Sequence, residues 1–351
     1  MKLRDDLGDL EGYHSPQVDV AVRLNTNESP YPPPDAWREA LLDELASLPF
    51  HRYPEREATE LRRAIGELHG VGPEQVLAAN GSNEVIQALC LAFGGPGRAA
   101  AVFKPTYLMH SHIARITGTP VVEGERDATT FALDMAEVTR VVGREQPAIT
   151  FLCSPNNPSG QLDPPEAIEK VLSLGPGLVV VDEAYGQFSP RSAIEQVRAG
   201  RPLAVVRTFS KTWSMAAARL GYLVGPRDII SAVEGVVLPY HLDAMKQAAG
   251  RLALRFQGEM ESRVALIVEE RGRLAAGLGE LPVDTWPSAA NFILFRPRTK
   301  DGDKVWDELV ERSVLVRNCA SWPGLDGCLR VTVGTAEEND AFLRALREVL
   351  A

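Results

Sequence analysis

Leu203-Ala204-Val205-Val206-Arg207-Thr208-Phe209-Ser210-Lys211 reads as a buried strand whose end carries two hydroxyls and an amine. Arg219 follows eight positions after the lysine, directly before a second strand-like run, Leu220-Gly221-Tyr222-Leu223-Val224. An amine and a guanidinium so spaced can hold a carbonyl and a phosphate together, because lysine attacks carbonyls to form a Schiff base. Alone, the segment also fits a solvated lysine at a strand end. Its weight depends on what ends the other strands.

Short, continuous apolar runs recur at residues 76–79, 100–103, 148–152, 178–181 and 203–206. Strands buried on both faces have this composition, and helical stretches lie between them. The expectation is an α/β chain with a mostly parallel, helix-covered sheet. Helices are expected over 36–48, 57–68 and 85–93, and a long helical stretch over roughly 241–278. Beyond it, runs at 292–295, 314–317 and 329–333 alternate with helices at 302–312 and 336–350, which predicts a smaller α+β domain. Residues 1–35, rich in proline, read as an N-terminal arm that packs on the small domain or on a partner subunit. Residues 36–245 read as a large cofactor-binding domain and 246–351 as the small one.

Open α/β sheets bind ligands beyond the carboxyl ends of their strands. After the first run comes Gly81-Ser82-Asn83, opening a helix whose free N–H groups attract an anion; alone it is no more than a helix cap. Pro105-Thr106-Tyr107 offers an aromatic that can stack on a planar ring or simply pack. Ser154-Pro155-Asn156-Asn157-Pro158-Ser159-Gly160 is a fixed turn that presents Asn157 as an amide donor. Asp182-Glu183-Ala184-Tyr185 ends the run at 178–181. A carboxylate there is costly unless it meets a cation, either an arginine or a pyridinium nitrogen. Together the strand ends supply an amine for an aldehyde, a carboxylate for a ring nitrogen, donors for a ring oxygen and a phosphate cradle of Ser82, Ser210 and Arg219. This set suits pyridoxal 5'-phosphate, an electron sink.

The chain has 351 residues, is 45% hydrophobic and 24% charged, and carries a formal net charge of −10. Such a balance argues against nucleic acid as a partner and leaves room for a local basic pocket. Cys90, Cys153, Cys319 and Cys328 lack metal-site spacing and read as reduced thiols. His110-Ser111-His112 alternate at strand spacing with no third ligand nearby, and Glu269-Glu270 read as a solvated helix face. No metal is expected. The charged start of the chain lacks the apolar core of a signal peptide, and no stretch is long enough to span a bilayer, so a soluble cytoplasmic protein with no membrane partner is expected.

Across these motifs the chain resembles the class I/II aminotransferases, pyridoxal-phosphate enzymes of fold type I, and within them the histidinol-phosphate branch. Leu24-Asn25-Thr26-Asn27-Glu28-Ser29-Pro30-Tyr31, Arg52-Tyr53-Pro54-Glu55 and Leu329-Arg330-Val331-Thr332-Val333-Gly334-Thr335 carry the branch-level likeness. The resemblance implies that Lys211 is the Schiff-base lysine, Asp182 the partner of the ring nitrogen, Asn157 and Tyr185 the partners of the ring oxygen, and Tyr107 the stacking ring. Ser82, Asn83, Thr208, Ser210 and Arg219 would surround the phosphate. It also implies a homodimer in which Tyr53 reaches the neighbouring subunit's cofactor. Asn27, Asn157, Arg330, Arg317 and Tyr13 would bind substrate, Arg330 gripping an α-carboxylate while Arg317 and Tyr13 hold a phosphate. The family pattern has proline before that tyrosine, where this chain has Gly12.

The implied reaction is transamination between L-histidinol phosphate and 2-oxoglutarate, which yields imidazole acetol phosphate and glutamate, a step of histidine biosynthesis. The same motifs fit an aromatic amino-acid aminotransferase, a phosphothreonine decarboxylase or, from another class, a pyridoxal-phosphate-sensing regulator. A regulator would need a DNA-binding segment, which this acidic chain is not expected to carry.

Overall fold

The computed structural model describes residues 7, 12 and 16–351. β1 (Val22–Leu24), from the segment read as an arm, comes first, followed by α1 (Asp35–Ser47) and α2 (Thr59–His69). The following stretch alternates strand and helix: β2 (Val76–Ala79), α3 (Ser82–Phe93), β3 (Ala100–Lys104), α4 (Met109–Ile116), β4 (Val121–Glu125), α5 (Met135–Glu145), β5 (Ile149–Cys153), α6 (Ala167–Leu174) and β6 (Leu178–Asp182). β7 (Leu203–Thr208), β8 (Gly221–Val224) and α7 (Arg227–Glu234) complete this part.

These strands form a seven-stranded sheet in the order β2-β8-β7-β6-β5-β3-β4. Only β8 runs antiparallel to its neighbours. The alternation of side chains explains why the runs are continuously apolar. Val179 and Val181 pack into a core on one face of the sheet, whereas Leu178 and Val180 pack into a second core on the other. Each such side chain contributes about 1.5–3 kcal/mol on burial, so both helical layers are held by the same five-residue strand.

The helical stretch expected over 241–278 is made of two helices, α8 (Ala244–Ala253) and α9 (Gln257–Gly279), joined by a 3₁₀ turn at Leu254–Phe256. Neither glycine nor proline marks the break. The two helices serve different cores, Ala249 and Ala253 joining the large sheet while Ile267, Leu274 and Leu278 pack on the small one. The turn lets the chain change partners.

β9 (Val283–Thr285), β10 (Phe292–Pro297), α10 (Gly302–Glu311), β11 (Val314–Asn318), β12 (Leu329–Thr332) and α11 (Ala336–Leu350) follow. The small sheet has the order β1-β11-β12-β10-β9, with β1 parallel to β11. A capping box between Thr335 and Glu338 starts α11. Among the described residues no helix is long and apolar enough to cross a membrane.

Candidate active site

β5, β6 and β7 run parallel and deliver Cys153, Asp182 and Thr208 to one edge of the large sheet. A cavity of about 390 Å³ opens there, lined also by Lys211, Arg219 and Arg330. That volume falls within the roughly 300–1,000 Å³ of small-molecule pockets.

Lys211 Nζ donates to the Thr26 carbonyl at 3.0 Å. Burial, with the Arg330 guanidinium adding to it, lowers its pKa to about 7; Glu28 opposes the shift. Near neutrality the amine therefore exists substantially as the free base, the form that attacks carbonyls and takes protons.

Asp182 ends β6 at 2% exposure. Its carboxylate accepts from the Ala184 amide at 3.0 Å and meets His110 Nε2 at 2.9 Å. A carboxylate only accepts, so Nε2 carries the imidazole proton. The arginine partner that could have explained a buried acid belongs instead to the next residue: Glu183 pairs with Arg207 at 2.6 Å. Asp182 is left facing the cavity with acceptor capacity to spare.

His110 was not expected here. It and His112 lie on α4 rather than on a strand. The His110 ring stacks on Phe151 at 4.8 Å and meets Tyr107 edge-on at 5.4 Å. The helical spacing Tyr107 to His110 was the available signal. Glu270, by contrast, lies on α9 and is engaged by Arg273 of the same helix and by Asn339 of α11.

At the start of α3, Gly81 has φ 88°, and a Cβ there would lie 3.1 Å from Arg219. Glycine is required both by this conformation and by the approach of the guanidinium. Arg219 donates to Ser210 Oγ at 3.3 Å, and Ser210 Oγ accepts from Thr208 Oγ1 at 3.0 Å. Ser82 lines the same corner, and Asn83 accepts from the Tyr107 hydroxyl at 3.1 Å. Hydroxyls, a helix start and an arginine converge as an anion site.

Tyr185 is buried, which pushes its pKa up to about 12, so it is a neutral phenol. Asn157 accepts from Arg330, which leaves its amide N–H groups for the cavity. Arg330 also donates to the Asn25 carbonyl at 3.0 Å, and Asn27 lines the cavity beside it. Arg317 stands directly opposite Arg330 in the β11–β12 ladder, buried, its guanidinium 5.8 Å from the Trp322 ring.

Tyr53 does not line this cavity. It is 80% exposed and stacks on Tyr240 at 4.5 Å. Tyr13 lies outside the described residues. Thr26 and Glu28, not singled out beforehand, line the cavity. No group of three or more His, Cys, Asp or Glu among the described residues is arranged to hold a metal.

Pyridoxal phosphate fits these donors: the amine Lys211, the buried acceptor Asp182, the phenol Tyr185 and the anion corner at Gly81 lie around one cavity of sufficient volume.

The model of the family described as aminotransferase class I and II matches residues 19–346. A histidinol-phosphate aminotransferase of Corynebacterium diphtheriae is 43% identical over 363 residues, covering 99% of this chain and 96% of that protein. The structure of a histidinol-phosphate aminotransferase from Sinorhizobium meliloti, in complex with pyridoxal-5'-phosphate, superposes with TM-score 0.84 at 24% identity, covering 95% of this chain and 91% of that one. An L-threonine-O-3-phosphate decarboxylase from Porphyromonas gingivalis gives 0.81 at 22%, covering 94% and 99%. At these identities the two structures share the fold, which therefore serves more than one reaction.

Proposed function

The chain belongs to the class I and II aminotransferases, and from that premise we propose that it transfers an amino group between L-histidinol phosphate and 2-oxoglutarate, with pyridoxal 5'-phosphate as cofactor. The geometric observation that carries the substrate reading is the ladder register of Arg317 and Arg330, two buried arginines paired across neighbouring strands, of which Arg330 lines the cavity. One substrate presents a phosphate where the other presents a carboxylate, and arginine pairs serve both through bidentate hydrogen bonds. The 43% identity to a histidinol-phosphate aminotransferase over nearly the whole chain supports the same reading.

Bound in this cavity, the cofactor supplies an electron sink for the electrons released when the substrate Cα–H bond breaks. Lys211 Nζ would be the base for that proton, a role suited to an amine with pKa about 7. Asp182 would accept from the ring N–H and keep that nitrogen protonated. Tyr185 and the Asn157 amide would donate to the ring oxygen. Ser82, Asn83, Thr208, Ser210 and Arg219 would hold the phosphate, Tyr107 would cover the ring, and Arg330 would grip the substrate carboxylate.

Arg317→Ala tests the substrate assignment in steady-state kinetics. Loss of a charge-assisted contact costs about 1.5–3 kcal/mol, so kcat/KM for histidinol phosphate is expected to fall roughly 10- to 150-fold, with a smaller fall for glutamate. Equal losses would remove the phosphate role.

The protein acts as a homodimer in this reading. Phe50, Tyr53 and Leu238 are exposed by 71%, 80% and 77%, and an apolar surface of this kind suits a second copy. Tyr53 would cross to the neighbouring cofactor phosphate. Light scattering is expected to give twice the chain mass of 38.2 kDa; a monomer retaining full activity would refute the shared site.

A further inference from the structure

Tyr185 can donate into the cavity only if its single proton is not spent elsewhere. Asn27 controls that. It is 1% exposed and holds a left-handed backbone, φ 55°, which for a non-glycine residue is strained and persists only where its surroundings hold it. Its backbone N–H donates to Thr332 Oγ1 at 3.0 Å. The Thr332 hydroxyl donates back to Asn27 Oδ1 at 3.1 Å, and Asn291 donates to the Asn27 carbonyl at 3.1 Å.

This exchange orients the amide. Thr332 Oγ1 already accepts the backbone N–H, so its own proton needs an acceptor, and Oδ1 provides one; a flipped amide would not. Asn27 Nδ2 therefore faces Tyr185 Oη, 2.9 Å away, and donates to it. With a lone pair of Oη taken, the phenolic proton is left for the cavity.

We propose that Asn27 is a positioning residue for Tyr185: it fixes the direction of the tyrosine hydroxyl and does not itself bind the amino donor, the role expected of it from sequence. The proposal rests on the cofactor reading given above. It also ties the site to the small sheet, because Thr332 is in β12 and Asn291 immediately precedes β10, whereas Tyr185 follows β6 of the large sheet. The tyrosine proton is thus aimed from across the boundary between the two sheets.

Asn27→Gly tests this cleanly, since glycine keeps the left-handed backbone and removes only the amide. The readout is the pH midpoint at which the absorbance of bound pyridoxal phosphate changes, followed in the parent, Asn27→Gly, Tyr185→Phe and the double variant. A donor beside the ring oxygen favours its deprotonated form, so losing the donor moves the midpoint up. Asn27→Gly is expected to move it in the same direction as Tyr185→Phe but less far, and to add nothing once Tyr185 is phenylalanine. Its kcat should fall about 3- to 10-fold with KM for each amino donor nearly unchanged. Asn27→Asp, isosteric but accepting where asparagine donates, should shift the midpoint further than glycine does. Three results would each overturn the proposal: a raised KM with an unmoved midpoint, an equal shift in the Tyr185→Phe background, or a parent midpoint indifferent to Tyr185→Phe. The last would also remove the role given to Tyr185, and so separates failure of the cofactor reading from failure of the inference.

Discussion

Lys211→Ala is expected to lower turnover by about 10⁴-fold or more, because it removes both the covalent attachment of the cofactor and a general base worth roughly 10²–10⁴ by itself. Loss of fold would not account for such a result. In the cofactor-free protein the lysine has its pKa lowered from 10.5 to about 7, so the unfolded chain binds this proton more tightly than the folded one. The resulting penalty on stability is full below about pH 7 and fades as pH rises toward 10.5. Lys211→Met, which removes the charge and keeps the stem, should therefore fold at least as stably as the parent at pH 7, and should be equally inactive. Denaturant titration beside a transamination assay checks both points. A Lys211 variant turning over at the parental rate would end the mechanism.

Asp182→Asn is expected to be the second most damaging change. Asparagine retains the size of the side chain and can still accept from Ala184 and His110, but it brings no negative charge to the ring nitrogen. Losing a preorganised electrostatic partner in a water-poor site costs about 10²–10³ in kcat, so kcat should drop by that order while KM moves far less. Parental kcat in Asp182→Asn would mean that the carboxylate is structural. Because Glu183 already occupies the structural role with Arg207 and Ser192, the two adjacent acids should separate cleanly. Substitution of Glu183 should act on stability and substitution of Asp182 on rate.

Most of the residues around the cavity were legible because they sit where short-range pattern and general topology meet. A continuous run such as Leu178–Asp182 announces a strand buried on both faces, and parallel sheets bind ligands beyond its carboxyl end. The illegible parts depended on contacts distant in sequence. β1 is three residues long and exists by pairing with β11, whose partner residues lie 292 positions away. β4, reading Val-Val-Glu-Gly-Glu, is an edge strand with a partly exposed, polar pattern and so lacks the apolar run. The break between α8 and α9 follows from their packing on different sheets and from no residue at the break itself. His110 looked like a strand histidine because Ser111 separates it from His112. Only the helix shows that it turns inward to Asp182. Asn27 was legible as a site residue, whereas its bond to Tyr185 spans 158 positions and was not.

The most direct test of the central claim is a single turnover without an amino acceptor. The protein loaded with pyridoxal phosphate is mixed with excess L-histidinol phosphate, with L-phenylalanine in a parallel reaction, and the keto product released is counted against subunits. One equivalent of imidazole acetol phosphate per subunit is expected, with much slower release from phenylalanine. Keto acid released from phenylalanine, with none from histidinol phosphate, would contradict the assigned substrate while leaving the fold and Lys211 in place.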